Sequence, residues 1–400
     1  MTKKQIVYLD YNATTPCAPE VVEAMLPFFD RQFANASSAH SMGRKAAEAV
    51  RVARDHIGRL VGCASDDLYF TSGATESNNL VLLGLTHARA AKGKIVVGSI
   101  EHKSVLEPCK RLSEQGFEVV QIPVTREGVV DIRAAEQLID DETLLVSVQG
   151  ANNELGTVQP IKRLAEIAHT HDALVHCDAT QMLGKVPVSL FDMDVDFASF
   201  SSHKNYGPKG VGVLYMRGGV ARAAIGPLIL GGGQESTVRA GTLNVPAIVG
   251  FGEACQVGFN SLHRDQVRIA ILRDFLEQEI LTQIPDAFAI GTSVERLPGT
   301  SSVYIRDVPA DALIARMALL CIGTGSACTS GAPSPSHVLV ACGYSSDTAK
   351  CVIRVSLGRY TTEEELQFAV KYLAENVNAI RDYAVDQTNA PSLAQKVSGS

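Results

Sequence analysis

Residues 174–216 read LVHCDATQMLGKVPVSLFDMDVDFASFSSHKNYGPKGVGVLYM, and this stretch decides the fold class. Leu174–Asp178, Phe197–Phe200 and Val211–Met216 are short, nearly continuous apolar runs bounded by polar or turn-forming residues. Such runs suit strands covered on both faces, where alternation with polar residues is not required. The same pattern recurs at Ile95–Gly98, Val119–Ile122 and Leu144–Val148. Helical patterns lie between the runs. Ala46, Val50, Ala53, Ile57 and Leu60 recur every three or four residues and share one helix face, as do Ile161, Leu164, Ile167 and Ala168. Strand–helix alternation over roughly residues 15–255 predicts an α/β fold with a mostly parallel central sheet.

Residues 15–258 are expected to form this large domain. Leu262–Ile284 reads as one long helix, followed by short strands and helices. A smaller α+β domain is therefore expected from 259–388 together with 1–14, and the polar residues 389–400 as a loose tail.

The chain has 400 residues, with 36 basic and 43 acidic side chains and a formal charge of −7. Apolar residues make up 46% and charged residues 20%, which excludes wholesale disorder. The negative balance argues against a protein that coats nucleic acid, and no direct nucleic-acid binding is expected. No apolar run approaches the ~18–20 residues of a membrane span, and MTKKQIVYLD at the start lacks a signal peptide's apolar core. Nine cysteines, an odd number with no C-x-x-C pair, fit reduced thiols rather than a disulfide framework or a zinc site. A cytoplasmic protein without a bound metal is the expectation.

The chemistry concentrates at strand ends. Lys204 follows directly on a buried strand, and a desolvated lysine becomes a nucleophile towards carbonyls. By itself it reads equally as a strand-end lysine reaching solvent. Asp178 closes the preceding strand, where ligands of parallel sheets sit, and a buried carboxylate there needs a cationic partner. Thr71–Leu80, TSGATESNNL, is a glycine turn opening a helix, with Ser72 and Thr75 adding hydroxyls to a start that can bind phosphate. Together these three features fit pyridoxal phosphate. They fit a dinucleotide poorly, since no G-x-G-x-x-G follows a strand.

Two further segments carry reactive groups. Gly323–Leu339, GTGSACTSGAPSPSHVL, reads as an exposed loop holding Cys328, an accessible thiol able to act as a nucleophile. The other eight cysteines read as packing residues. Arg354 lies inside an apolar strand and needs an anion, either a substrate carboxylate or an internal Asp or Glu. Arg359 reads as a surface pair, and Thr361 with Glu364 as a helix capping box.

These residues carry a family with them. YLDYNATTP, TSGATESNN, EHKSVLEPC, NNELGTVQP, HCDATQ, SSHKNYGPKG, GGGQES with RAGTLNV, GSACTSG with PSHVL, and IRVSLGR run in order from Tyr8 to Arg359. The chain resembles the cysteine desulfurases, in the group with the long GSACTSG loop. The resemblance implies a homodimeric pyridoxal-phosphate enzyme of the fold-type I transferase class, the cofactor lying in the large domain and the cysteine loop in the small one.

Carried over, Lys204 is the Schiff-base lysine, Asp178 pairs with the pyridine nitrogen and Gln181 meets the ring's phenolic oxygen. His102 stacks on the ring and is a candidate base. Ala74 belongs to the cofactor site, and Thr75, Ser201 and His203 hold the phosphate, which Thr242 reaches from the partner subunit. Asn153 belongs to the cofactor site and, with Arg354 and Asn35, orients the carboxylate of L-cysteine. Cys328 takes the sulfur as a persulfide and passes it to an acceptor protein. Iron–sulfur assembly, tRNA thiolation and DNA sulfur modification all begin with this reaction. A selenocysteine lyase or related β-eliminating enzyme, and a relay platform acting mainly by binding acceptors, are the alternatives. The chain departs from the family at Ala34 and Ala36, where glycine and proline are usual, and at Ser236 and Thr237, where an arginine and a glycine are usual.

Overall fold

A computed structural model describes residues 6–88, 93–223, 225–324 and 335–389. Its centre is a seven-stranded sheet: β1 (Leu68–Thr71), β2 (Lys94–Gly98), β3 (Glu118–Ile122), β4 (Thr143–Gln149), β5 (Leu174–Asp178), β6 (Phe197–Ser201) and β7 (Gly212–Met216), in the order β1-β7-β6-β5-β4-β2-β3. Every strand is parallel to the others except β7, which runs antiparallel to β1 and β6. The mostly parallel α/β expectation is met, with strand ends within one residue of the apolar runs.

Side chains alternate across a strand, so the sheet feeds two cores. Val96, Val146, Val175 and Phe200 pack with the helix Ser41–Val61 on one face. Ile95, Val97, Leu145 and Phe197 pack with the helices Ala74–Ala88 and Lys103–Glu114 on the other. Both sides being covered, the strands need no polar face, which is why they read as continuous apolar runs.

A second sheet contains β8 (Ala287–Ile290), β9 (Thr300–Ile305), β10 (Gly323–Thr324) and β11 (Val352–Ser356), all antiparallel in the order β10-β11-β9-β8. Val7 and Leu9 pack into its core, and Val7–Tyr8 pairs in parallel with Leu320–Cys321.

The long helix differs from expectation. It spans Val245–Gln283, starting well before Leu262, with Asn244 capping it through Ala247 N–H at 3.2 Å. Val245, Ile248 and Phe251 join the large core, and Ile269, Leu272, Leu276 and Ile280 join the small one. The boundary expected at 258/259 therefore falls inside one continuous helix. Its opening three turns, VPAIVGFGEAC, are apolar and glycine-bearing nearly all round, so no amphipathic stripe marked them as helix.

Three smaller readings are corrected. The capping box belongs to Thr362 and Glu365, which exchange backbone-to-side-chain hydrogen bonds of 3.0 and 3.2 Å, while Thr361 Oγ1 accepts from Gly358 N–H. Arg359 is no surface pair: its Nε donates to the buried Asp265 at 2.7 Å and its guanidinium lies over the Tyr206 ring. Cys321 is exposed rather than a packing residue. Among the described residues no helix is long and apolar enough to cross a membrane.

Candidate active site

Gln149, Asp178 and Ser201 are the last residues of β4, β5 and β6, three adjacent parallel strands, so connectivity alone brings them to one edge of the sheet. β1 ends at the same edge, and the turn Ser72–Gly73 after it opens the helix Ala74–Ala88 there. These groups line a cavity of about 530 Å³ together with Asn12, Ala13, Thr75, His102, Asn153, Gln181, His203, Lys204 and Arg354.

Lys204 follows β6 in a short 3-10 turn, and its Nζ donates to the carbonyls of Asn12 at 2.7 Å and Ala13 at 2.8 Å. Burial, helped by the positive charge of Arg354, pulls its amine down to about 8, so an appreciable share is unprotonated near neutrality. Asp178 is buried and accepts from Asn78 Nδ2 at 2.8 Å and from Thr180 N–H at 3.1 Å. Among the described residues no lysine, arginine or histidine forms an ion pair with it.

His102 caps the helix Lys103–Glu114. Its Nδ1 accepts from Ser104 N–H at 3.1 Å and lies 2.8 Å from Ser104 Oγ. Burial lowers its pKa, so the ring is neutral at pH 7 with its proton on Nε2. Burial and the nearby Lys204 also pull His203 down to about 4; its Nδ1 lies 3.1 Å from Thr14 Oγ1. Arg354 on β11 meets an internal acid, the second of the two partners its sequence setting allows. Nη2 pairs with Asp10 at 2.7 Å, Nη1 donates to Asn153 O at 3.1 Å, and Nε, buried, has no partner among the described residues.

The residues fit pyridoxal phosphate. Asp178 is a buried carboxylate with donors but no protein cation, the setting a pyridinium nitrogen completes. Gly73 has φ of +152°, and a Cβ built there would lie 3.6 Å from Ser201 Oγ, between the helix start and β6 where a phosphate is to be cradled. Thr180 Oγ1 and Arg354 Nε, at the same cavity, are buried polar atoms without partners among the described residues. Bound there, the cofactor supplies an electron sink for negative charge developing at a substrate's Cα.

Within one chain, two expected residues lie elsewhere. Asn35 is exposed, its Oδ1 closing a local turn onto Ser37 N–H at 2.9 Å, and Thr242 is also exposed. Cys328 lies outside the described residues. Sequence reasoning missed four groups: Asn12, whose carbonyl receives Lys204; Asn78 and Ser104, which link Asp178 to His102; and the half-buried Lys185. Asn78 sits one turn after Ala74 inside the quoted TSGATESNN motif, a signal that was legible. Lys185 carried none.

A parallel sheet whose strand ends offer a lysine, an unpaired acid and a phosphate-type helix start defines a pyridoxal-phosphate-dependent enzyme of fold type I. The chain belongs to the aminotransferase class-V family, whose sequence model matches residues 7–368. It is 42% identical over 381 residues to the cysteine desulfurase IscS of Dictyoglomus turgidum, covering 94% of this chain and 96% of that one. Among solved structures it resembles a NifS-like protein, with TM-score 0.87 and 38% identity over 94% of this chain and 100% of that chain. It also resembles SspA in complex with cysteine, with TM-score 0.79 and 36% identity over 89% and 100%.

Proposed function

We propose that this protein is a cysteine desulfurase that moves sulfur from L-cysteine to Cys328. The observation that carries this is the placement of Lys204, Asp178 and Arg354 around one cavity, with the described ends of the Cys328 segment beside it. At one end Gly323 pairs with Arg354. At the other, Ser336 donates to Glu154, and His337 Nε2 lies 3.0 Å from the carbonyl of Glu101, next to His102.

The residues then divide the work. Arg354, with Asn153, seats the substrate carboxylate through the guanidinium edge that has no internal partner. Asp178 holds the pyridine nitrogen, and Gln181 meets the ring's phenolic oxygen. Ala74, Thr75, Ser201 and His203 cradle the phosphate. Lys204, as free amine, takes the Cα proton. Cys328, as thiolate, attacks the substrate sulfur: the S–S bond forms, the Cβ–S bond breaks, one proton is delivered to Cβ, and the proton held by Lys204 returns to Cα to leave alanine. His102, neutral and capping its helix, is the candidate base for the thiol.

A homodimer completes the site through Thr242, and the exposed Val22, Leu26, Phe29 and Phe33 on the N-terminal segment offer an apolar face for it. Cysteine as substrate draws support from the likeness to the solved SspA–cysteine complex. A cytoplasmic setting and an acceptor protein for the persulfide sulfur belong to the same reading.

The test uses the purified holoenzyme. It should be yellow, and with L-cysteine and no reductant it should gain the mass of one or more sulfur atoms. Cys328→Ser should gain none. Equal alanine formation by Cys328→Ser would overturn sulfur transfer in favour of a lyase.

A further inference from the structure

Lys185 lies half-buried behind Gln181 and Asn12, and among the described residues it forms no ion pair with a carboxylate. Its Nζ instead faces two amide oxygens, Gln181 Oε1 at 2.6 Å and Asn12 Oδ1 at 2.9 Å. An amine nitrogen with hydrogens to share needs acceptors, so the amide atoms facing it are oxygens, whichever way an amide is drawn. Each amide's NH2 is thereby turned away. Gln181 Nε2 donates to the carbonyl of Asn12 at 3.1 Å, and that carbonyl is the one receiving Lys204 Nζ. Asn12 Nδ2 donates to Thr300 Oγ1 at 2.9 Å.

We propose that Lys185 is a positioning residue that sets the Gln181 amide, so that its NH2 and not its carbonyl is presented to the phenolic oxygen of the cofactor. This rests on the proposed placement of Gln181 beside that oxygen. Without Lys185 the amide's orientation rests on the Asn12 carbonyl alone, an acceptor already shared with Lys204. The carbonyl can then face an oxygen that carries negative charge, a repulsive pairing. The turn is built to keep the lysine in place: Lys185 N–H donates to Met182 O at 3.0 Å, and Gly184 has φ of +67° with a would-be Cβ 2.0 Å from Asn205 Oδ1. Burial and the charges of Lys204 and Arg354 push the Lys185 amine well down. The role survives either protonation state, because a neutral amine still has two N–H groups for its two acceptors.

The readout is the pH midpoint of the visible absorbance change of the pyridoxal-phosphate-loaded enzyme. A donor to the phenolic oxygen lowers the basicity of the group titrated there, so losing it raises the midpoint. Lys185→Met should raise the midpoint by roughly one unit. Gln181→Leu should raise it too, and adding Lys185→Met to Gln181→Leu should then move it little further. An unmoved midpoint in Lys185→Met, with Gln181→Leu shifted, overturns the inference alone. An unmoved midpoint in Gln181→Leu overturns the underlying placement of Gln181. Should Lys185→Met fail to fold, Gln181→Glu replaces it: its carboxylate still accepts from Lys185 but offers no donor to the ring, and the midpoint should rise. An unmoved midpoint there overturns the proposal.

Discussion

The Nδ2 of Asn78 lies 2.8 Å from the Oδ2 of Asp178, and the same nitrogen lies 2.8 Å from Ser104 Oγ. Both of its hydrogens are used. Ser104, having accepted one, has its own hydroxyl hydrogen free for His102 Nδ1 at 2.8 Å. One amide thus joins the acid below the cavity to the imidazole at its side, and fixes which imidazole nitrogen keeps the proton.

Removing that amide should weaken the site without unfolding it. Asn78→Leu deprives a buried carboxylate of one of its two donors, a loss on the order of 1.5–3 kcal/mol for a charged acceptor. Affinity for pyridoxal phosphate should fall about tenfold or more, read by fluorescence titration. Unchanged affinity would show that Asn78 does not support Asp178.

Replacing Arg354 by lysine keeps a positive charge but loses the planar fork that pairs Asp10, Asn153 O and the free Nε edge. KM for cysteine should rise roughly tenfold, while the visible band of the loaded enzyme is retained. Steady-state kinetics with alanine detection would check this.

Acid should destabilise the fold through its buried histidines. His176, fully buried between Ser147 and Ser199, has its pKa pulled down to about 4 by burial, and His203 is also lowered to about 4. Between about pH 6.5 and 4 the unfolded chain binds a proton that the folded chain refuses. Stability is therefore full above 6.5 and is lost as pH falls, by at most about 3 kcal/mol for His176 and less for the partly solvated His203. Tm measured at pH 7.0, 5.5 and 4.5 should decline, and His176→Gln should flatten the decline.

The departure at Thr237 should carry a stability cost. Glu235, Ser236 and Thr237 have φ of 45°, 53° and 69°, three consecutive residues in the left-handed region, the last β-branched. Thr237→Gly relieves a conformation costing ~1–2 kcal/mol and forfeits part of that in chain entropy, so a net gain of roughly 1 kcal/mol is expected as a higher Tm. The segment is held by Glu235, whose buried carboxylate pairs with Arg54 at 2.7 Å and accepts from Phe70 N–H at 2.7 Å. Glu235→Ala leaves Arg54 its Leu68 carbonyl but takes its charge partner and the acceptor of Phe70 N–H, and should cost about 1–3 kcal/mol. Thermal melts of the two variants should therefore move in opposite directions.

The apolar runs of the sequence determined six of the seven large-sheet strands, because a strand covered on both faces must be apolar throughout and shows it locally. They also placed Asp178 and Lys204 at strand ends, and connectivity in a parallel sheet sends such ends to one edge. Only the tertiary structure decided that Asn12, Asn78, Ser104 and Lys185 meet at that edge, since their hydrogen bonds join segments up to 192 positions apart and leave no periodicity to read. It also decided that Arg359 turns inward to Asp265 and that one helix runs through both cores. Burial on every side erases the polar stripe that would announce such a helix, and an arginine's partner is chosen by packing rather than by its neighbours in sequence.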